Sequence, residues 1–241
     1  ETKTIKGTFD LTKGVLKSYN LKNDSSEIIT NFPTPYFWRA PTDNDFGNKM
    51  PTKLVVWREA HLNPEVKSVT VGKLTEQGLP IDVQYVLAET KAPYTVNYLI
   101  QNNGEIKVTA SIDVTDKNLP EIPRFGMRLQ LPGAFENLNY YGRGPLENYS
   151  DRKTASFVGT YEDKVANQFI WEYIRPQECG YKTDTRWFSL QNSNGLGLKI
   201  TGEQALGFST LNVSTESLDP GKTKQQRHTT DVKPQDTVFV S

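Results

Sequence analysis

The chain has 241 residues, with 28 Lys plus Arg against 28 Asp plus Glu, so its formal net charge is zero. That balance gives no electrostatic ground for binding nucleic acid or an anionic membrane, both of which favour a basic surplus, and no apolar run is long enough to span a bilayer. The length suits one large all-β domain with an ample core, and Cys179, the single cysteine, leaves packing rather than an intrachain disulfide to hold it together.

The chain opens in polar, strand-like sequence, Glu1-Thr2-Lys3-Thr4-Ile5-Lys6-Gly7-Thr8-Phe9. It lacks the apolar block and small-residue cleavage site of a secretory leader, which predicts an excised segment or a mature chain. Strands are expected near 5–10 and 14–19. In Phe37-Trp38-Arg39-Ala40-Pro41-Thr42-Asp43-Asn44-Asp45-Phe46-Gly47-Asn48, Pro41 keeps Ala40 extended, and Asp43, Asn44 and Asp45 form a polar knot closed by Gly47. One reading is an Asx-rich turn that satisfies its own backbone. Another is a calcium loop, for which the glycine spacing and distal glutamate are missing. A third has Arg39 meeting carboxylates of the 140–152 stretch.

Residues 51–61 are the one helix candidate, with Leu54, Val55 and Trp57 on an apolar side and Pro51 in the first turn. Beyond them the apolar pattern has period two. A strand is expected at 65–75, then Ile81, Val83, Tyr85 and Leu87, then Tyr94, Val96, Tyr98 and Ile100, then Ile106, Val108, Ala110, Ile112 and Val114. Gln101-Asn102-Asn103-Gly104 reads as a hairpin turn between the last two. Further strands are expected near 124–131, 155–161, 182–191, 195–202, 205–211 and 236–241. Strands at this spacing, without interleaved helices, predict an antiparallel β-sandwich rather than a parallel fold. No composition shift marks a boundary, so a single domain over 1–241 is expected. Residues 219–228 are the best candidate for a linker or an exposed hairpin tip.

Two stretches carry chemistry beyond the polar knot. In Tyr140-Tyr141-Gly142-Arg143-Gly144-Pro145-Leu146-Glu147-Asn148-Tyr149-Ser150-Asp151-Arg152, the glycines free the backbone and Pro145 fixes its own φ. An irregular passage is expected, presenting Arg143, Glu147, Asn148, Asp151 and Arg152. Aromatics beside carboxylate, amide and guanidinium groups suit a sugar, and the same residues equally suit a connection stapled by its own ion pairs. In the stretch 176–187, Glu178 and Arg186 are candidates to face a shared groove, and Cys179 reads as an inert thiol. The run 169–174 reads as a strand or a docking segment. Glu147 with Asp151, or Asp43 with Asp45, have the residue types of a glycosidase carboxylate pair, a weak signal among 28 acidic residues. His61 and His228 have no partner at metal-ligand spacing. Asn-x-Ser triplets begin at Asn23, Asn148 and Asn212.

Trp38-Arg39-Ala40-Pro41-Thr42-Asp43-Asn44-Asp45 resembles the RAP-x-DND signature of the large multidomain β-galactosidases of glycoside hydrolase family 2. Gly142 to Arg152 is similar to the same family's GxGPxENYxDR segment. Pro123-Arg124-Phe125-Gly126-Met127, and Pro176-Gln177-Glu178 followed by Thr185-Arg186, resemble further blocks in the same order. The resemblance is to the C-terminal domain, called the small chain when encoded separately. It implies a large antiparallel β-sandwich of the galactose mutarotase-like supersandwich type with at most one or two short helices. It implies a parent enzyme, a homo-oligomer, that hydrolyses terminal β-D-galactosides with retention. In that family the catalytic glutamates, with Mg²⁺ and Na⁺, belong to a (β/α)₈ barrel, which needs about 250 residues of alternating strand and helix. No residue of this chain inherits those roles, and the barrel becomes the expected partner. The family's Gly-Gly-Asp-x-Ser-Trp motif, whose Trp reaches the galactose pocket, does not occur before the end at Val238-Phe239-Val240-Ser241. Truncation at both ends relative to the family domain is therefore expected. Two other readings stay open, a stand-alone mutarotase-like enzyme and a galactoside-binding module.

Overall fold

Strands dominate both of the units into which the chain divides, Glu1–Trp38 with Lys53–Met127, and Arg39–Thr52 with Arg128–Ser241. The computed structural model describes all residues of the chain except Ser25, Asp116 and Lys117, so the triplet that begins at Asn23 lies partly outside the described residues. In the first unit β1 (Ile5–Asp10) and β2 (Val15–Leu21) form a hairpin, and β3 (Asn31–Tyr36) follows. Then β4 (Glu65–Val71), β5 (Leu79–Val86), β6 (Pro93–Ile100) and β7 (Ile106–Ile112) make an antiparallel meander in chain order. The alternation selects its faces. Ile81, Val83 and Tyr85 of β5 are buried opposite Tyr98, Val96 and Tyr94 of β6, while Asp82 and Gln84 point to solvent. A one-residue slip would exchange the two sets, so burial fixes the register. The β1–β2 hairpin covers this face: the Phe9 and Tyr98 rings meet edge-on at 5.2 Å, and Tyr85 Oη donates to the Gly14 carbonyl at 2.6 Å. Gly14 has φ +69°, and a Cβ there would stand 2.4 Å from Val83 Cγ1, so this close approach needs glycine. Phe37 and Trp57 are fully buried with ring centres 5.7 Å apart, and the Trp57 indole donates to the Pro120 carbonyl at 2.9 Å.

The helix expected over 51–61 is broken. Helix α1 (Asp43–Gly47) forms earlier, in the polar knot, and α2 (Met50–Lys53) is a single turn. At Leu54 the backbone (φ −105°, ψ 11°) leaves the helical region, and a 3₁₀ turn at Val55–Trp57 follows. So short a run has little intrinsic helical stability, and burial of Trp57 decides its geometry instead.

The second unit holds β8 (Gly126–Pro132), β9 (Asn137–Gly144), β10 (Phe157–Lys164), β11 (Lys182–Gln191), β12 (Gly197–Phe208), β13 (Thr210–Leu211) and β14 (Thr237–Val240), with a short helix α3 (Thr215–Leu218) between β13 and β14 and 3₁₀ turns at Val165–Asn167 and Thr229–Asp231. Strands β10, β9, β11 and β12 pair in that order, and β13, β14 and β8 pair in another sheet. Across the first, Tyr140 faces Tyr161 on one side and Phe188 on the other. The chain changes sheets at Ser209, whose backbone pairs both ways with Ser241 at 2.7 and 3.1 Å. The strands expected separately at 195–202 and 205–211 are thus one long strand and a short continuation.

The stretch 140–152 corrects the sequence reading most. Residues 140–144 are the end of β9, an inner strand, and the irregular passage begins only at Pro145, after a cis Gly144–Pro145 bond. The glycines serve close packing there. A Cβ on Gly142 would lie 2.4 Å from Thr185 Oγ1 and 2.9 Å from Thr185 Cα, and one on Gly144 would lie 2.1 Å from the Tyr140 hydroxyl. The run 169–174 is no strand but a series of turns and bends, and 219–228 carries neither helix nor strand. The architecture is an all-β sandwich with only short helices.

Candidate functional site

Every candidate site residue of the polar stretches, from Arg39 to Asp45, Arg143 to Arg152, and Glu178 with Arg186, lies in the second unit. The knot at 38–48 closes on itself. Thr42 caps α1, with its hydroxyl accepting from Asp45 N at 3.3 Å, while the Asp45 carboxylate accepts from Thr42 N at 2.8 Å and Thr42 Oγ1 at 2.9 Å. Arg39 completes the cage with a two-pronged contact to Asp45, Nη1–Oδ2 at 2.5 Å and Nη2–Oδ1 at 2.8 Å. Burial pushes the Asp45 carboxyl up, but the hydrogen bonds from Arg39 and Thr42 and the guanidinium charge outweigh it, and the net shift is downward. Arg39 therefore does not reach for the carboxylates of the 140–152 stretch. The capping turn returns Asp45 to it only six residues along, and both carboxylate oxygens are taken by local donors. Asn44 is exposed, and its carbonyl accepts the capping N–H of Asn48 at 3.0 Å. Asp43 is exposed and points elsewhere, 2.6 Å from Lys224 Nζ and 3.3 Å from Arg175 Nε.

The passage after β9 is tied down residue by residue. Asn148 is fully buried. Its amide nitrogen donates to the carbonyls of Arg143 and Leu146, both at 3.0 Å, and its oxygen accepts from Thr183 N at 2.9 Å and Thr183 Oγ1 at 2.6 Å. That uses the whole capacity of the side chain, so in the folded chain the triplet at Asn148 presents no free amide to a glycosylating enzyme. Glu147 joins this passage to the turns at 170–180: Oε2 accepts from Gly180 N at 2.7 Å, and Oε1 accepts from Arg152 Nη2 at 2.7 Å and from the Tyr173 hydroxyl. Arg152 lies over the Tyr149 ring, 4.5 Å from its centre. Burial lowers the Arg152 pKa, yet its hydrogen bonds to Glu147 and Tyr173 carry the net value upward. Asp151 is exposed in the turn bridged by Tyr149 and Arg152.

A bulge brings the third group together. Asp184 adopts φ +51° where the β11–β12 register shifts, and bulges of this kind re-aim side chains. Its carboxylate receives Arg143 Nε at 2.5 Å and Lys153 Nζ at 3.2 Å. The Arg143 hydrogen bond is the main reason its pKa falls; burial opposes it and Lys153 adds to it. Arg143 also donates to the Ser156 carbonyl at 2.7 Å. Arg186 is exposed, lies 5.4 Å from the centre of the Tyr141 ring and donates to the Asp184 carbonyl. Glu178 is buried, so the two do not line one open groove.

Several participants are invisible in the sequence. Tyr173 joins the network from the run 169–174, and Gly180, Thr183 and Asp184 from the stretch 176–187; the sequence marks those stretches but not these particular residues. Lys182 is buried and donates to Gln168 Oε1 at 2.9 Å, with burial drawing its pKa down to about 8 against the raising influence of Glu147 and Asp163. Burial pushes the Cys179 thiol up to about 12, which makes it unreactive. His61 stands edge-on to Tyr36 at 5.3 Å in the first unit. His228 is exposed, its backbone N–H donating to Asp231. No group of three or more His, Cys, Asp or Glu able to hold a metal ion occurs among the described residues. Asp45 and Asp184, held ionised by cations, are poor proton donors; a glycosidase acid needs the opposite tuning. Chemically, these groups fix the loops to each other and to β9 and β11.

The chain belongs to the family described as beta galactosidase small chain, which matches residues 1–241. It is 39% identical over 224 residues to a β-galactosidase of Priestia megaterium, covering 91% of this chain and 21% of that protein. It is 32% identical over 225 residues to a β-galactosidase of Streptococcus thermophilus, again covering 91% and 21%. A separately named β-galactosidase small subunit, from Latilactobacillus sakei, is 28% identical, with 83% of this chain and 71% of that one covered. The chain thus spans about one fifth of the length of the longer relatives.

Proposed function

We propose that this chain is the non-catalytic C-terminal β-sandwich part of a β-galactosidase of glycoside hydrolase family 2. The enzyme hydrolyses terminal non-reducing β-D-galactose residues with retention. In it, this part packs on a catalytic barrel and helps to wall the galactose pocket, and Mg²⁺ and Na⁺ sit in the barrel. One observation carries the reading. The chain matches a small-chain family over its whole length, yet covers only 21% of the β-galactosidases it resembles. The closed polar network supports it, because Arg39–Asp45 and Arg143–Asp184 are engaged with each other rather than held open for substrate.

The test has two parts. Purified residues 1–241 are expected not to release chromophore from a chromogenic β-galactoside, while the longer protein does so. In the longer protein, Glu147→Ala and Arg39→Ala are expected to lower activity in step with lost thermal stability. A fall in kcat with stability unchanged would assign these residues to the chemistry instead.

A further inference from the structure

Asn-Gly occurs twice in the sequence, at Asn103-Gly104 and Asn194-Gly195, and the fold places both in the same kind of loop. In each, three residues close a hairpin and the third is a left-handed glycine, with φ +96° at Gly104 and +81° at Gly195. Gln101 N donates to the Glu105 carbonyl at 2.8 Å, and Gly104 N to the Gln101 carbonyl at 2.9 Å. Asn192 N and Gly195 N repeat the pattern, donating to the Leu196 and Asn192 carbonyls at 2.9 and 3.1 Å. We infer that Asn194 is a site of spontaneous covalent modification, cyclising onto Gly195 N and opening to aspartate and isoaspartate, and that Asn103 in the matching loop is protected from it. The inference rests on the two hairpins and not on the function proposed above.

The chemistry needs only water. The main-chain nitrogen of Gly195 gives its proton to solvent base and attacks the side-chain carbonyl carbon of Asn194. A bond forms between the two atoms, the bond to the side-chain nitrogen breaks, and that nitrogen leaves as ammonia with a proton from water. The cyclic imide then adds water at either carbonyl. One opening leaves aspartate; the other leaves isoaspartate, in which the main chain runs through the former side chain. Nothing is oxidised or reduced. Asparagine is a thermolabile residue, and glycine, without a Cβ, leaves its nitrogen open to the approach.

Two differences separate the loops, and neither is the local backbone shape. The first is the asparagine side chain. Asn103 Oδ1 accepts from Glu105 N at 2.9 Å, and the carboxamide must leave that bond to turn toward Gly104 N. The Asn194 carboxamide makes no hydrogen bond among the described residues. In its loop the holding is done by Asn192, whose Oδ1 accepts from Asn194 N and Leu196 N at 3.0 and 3.1 Å. The second difference is the glycine. Gly104 is buried, and a Cβ on it would stand 2.5 Å from Ile5 Cγ1. Its carbonyl accepts from the Tyr19 hydroxyl at 2.8 Å, and Asn102 Nδ2 ties the same loop to the Glu76 carbonyl at 2.9 Å. Gly195 is exposed, with nothing within 4 Å of the same position. Cyclisation rotates the peptide unit, so the loop must open locally, and opening is easiest where few contacts hold the backbone. The glycine N–H bond is common to both loops and does not distinguish them.

The experiment holds the longer protein, native, in mildly alkaline water enriched in the heavy oxygen isotope, followed by digestion in acid and peptide mass spectrometry. Asn194 is expected to convert to aspartate and isoaspartate carrying one heavy oxygen while Asn103 stays intact. In urea, with both loops open, the two should convert at similar rates. Tyr19→Phe removes the bond to the Gly104 carbonyl and keeps the ring. It is expected to speed Asn103 conversion roughly fivefold, the worth of one hydrogen bond, and to leave Asn194 unchanged. Native conversion of Asn103 as fast as that of Asn194 would overturn the inference. So would a native Asn194 that stays intact over the time that converts it in urea, aspartate without isoaspartate, or a Tyr19→Phe protein whose Asn103 is no less protected. None of these measurements reads β-galactosidase activity, so the proposed function can fail and leave this inference standing, or the reverse.

Discussion

Lys182 carries an ammonium group where few residues would place one. It is 3% exposed at the start of β11, with Nζ 2.9 Å from Gln168 Oε1 and 6.0 Å from the centre of the Tyr140 ring. Burial lowers its pKa to about 8 from the ordinary 10.5, with Glu147 and Asp163 opposing the fall. Between those two values the unfolded chain keeps a proton that the folded chain has released. Folding stability therefore rises with pH across that window, and the cost of the buried charge is fully present below it. Relative to Lys182→Met, which has no charge to lose, the wild-type chain is expected to gain about 2 kcal/mol between pH 7 and about pH 9.5. Urea unfolding of both proteins at the two pH values measures this, and parallel pH slopes would contradict it. The same residue shows what the sequence hides. A lysine leading into an alternating run reads as a surface charge, and only the fold reveals Gln168 and Tyr140 around it.

At the scale of elements, β5, β6 and β7 of the first unit were legible because one local rule, alternation of period two, coincides with the burial that fixes their register, whereas β3 (Asn31–Tyr36), which holds two prolines, was not expected. β5, β6 and β7 fall within two residues of where the pattern puts them. β9 was not legible, since Tyr141-Gly142-Arg143-Gly144 breaks the alternation with two glycines and a charge. The reason sits on the paired strand more than forty residues later, where Thr185 occupies the space a Gly142 side chain would need. The Arg143 partner, Asp184, is equally distant. By contrast the Thr42–Asp45 cap was legible as a self-satisfying polar turn, because donor and acceptor lie three residues apart. A direct consequence is that Gly142→Ala should destabilise the chain by about 1–3 kcal/mol, the usual cost of overpacking a closed site. Thr185→Ala removes Oγ1 but not Cα, which would lie 2.9 Å from the new methyl. It should therefore relieve only part of the loss, and the double-mutant cycle should show a favourable coupling. Full additivity in denaturation midpoints would mean that the two strands do not meet as closely as described.

For the whole molecule, the equal numbers of acidic and basic residues mean that acid leaves the cations increasingly unopposed everywhere. The two units nevertheless differ in what acid removes. In the second, Asp45 and Asp184 have lowered pKa values through contacts that join separate parts of the structure: Arg39 to the capped turn, and β9 and Lys153 to the β11 bulge. In the first, the lowered carboxyls are Asp10 and Asp24, half-buried residues whose bonds stay within their own turns. A carboxyl with a depressed folded-state pKa adds stability that is present above its ordinary value, near 3.8, and is lost as the pH falls below it. The second unit should therefore lose protection first on acidification. Hydrogen exchange followed by mass spectrometry between pH 5 and pH 2.5, corrected for intrinsic exchange rates, should show β9 and β11 opening at a higher pH than β5 and β6. Asp184→Asn gives up the same stabilisation at every pH, so it should open β11 already at pH 5 and flatten its response below that. Loss of protection in both units at one pH, or in the first unit earlier, would mean that Asp45 and Asp184 do not set the acid limit of the fold.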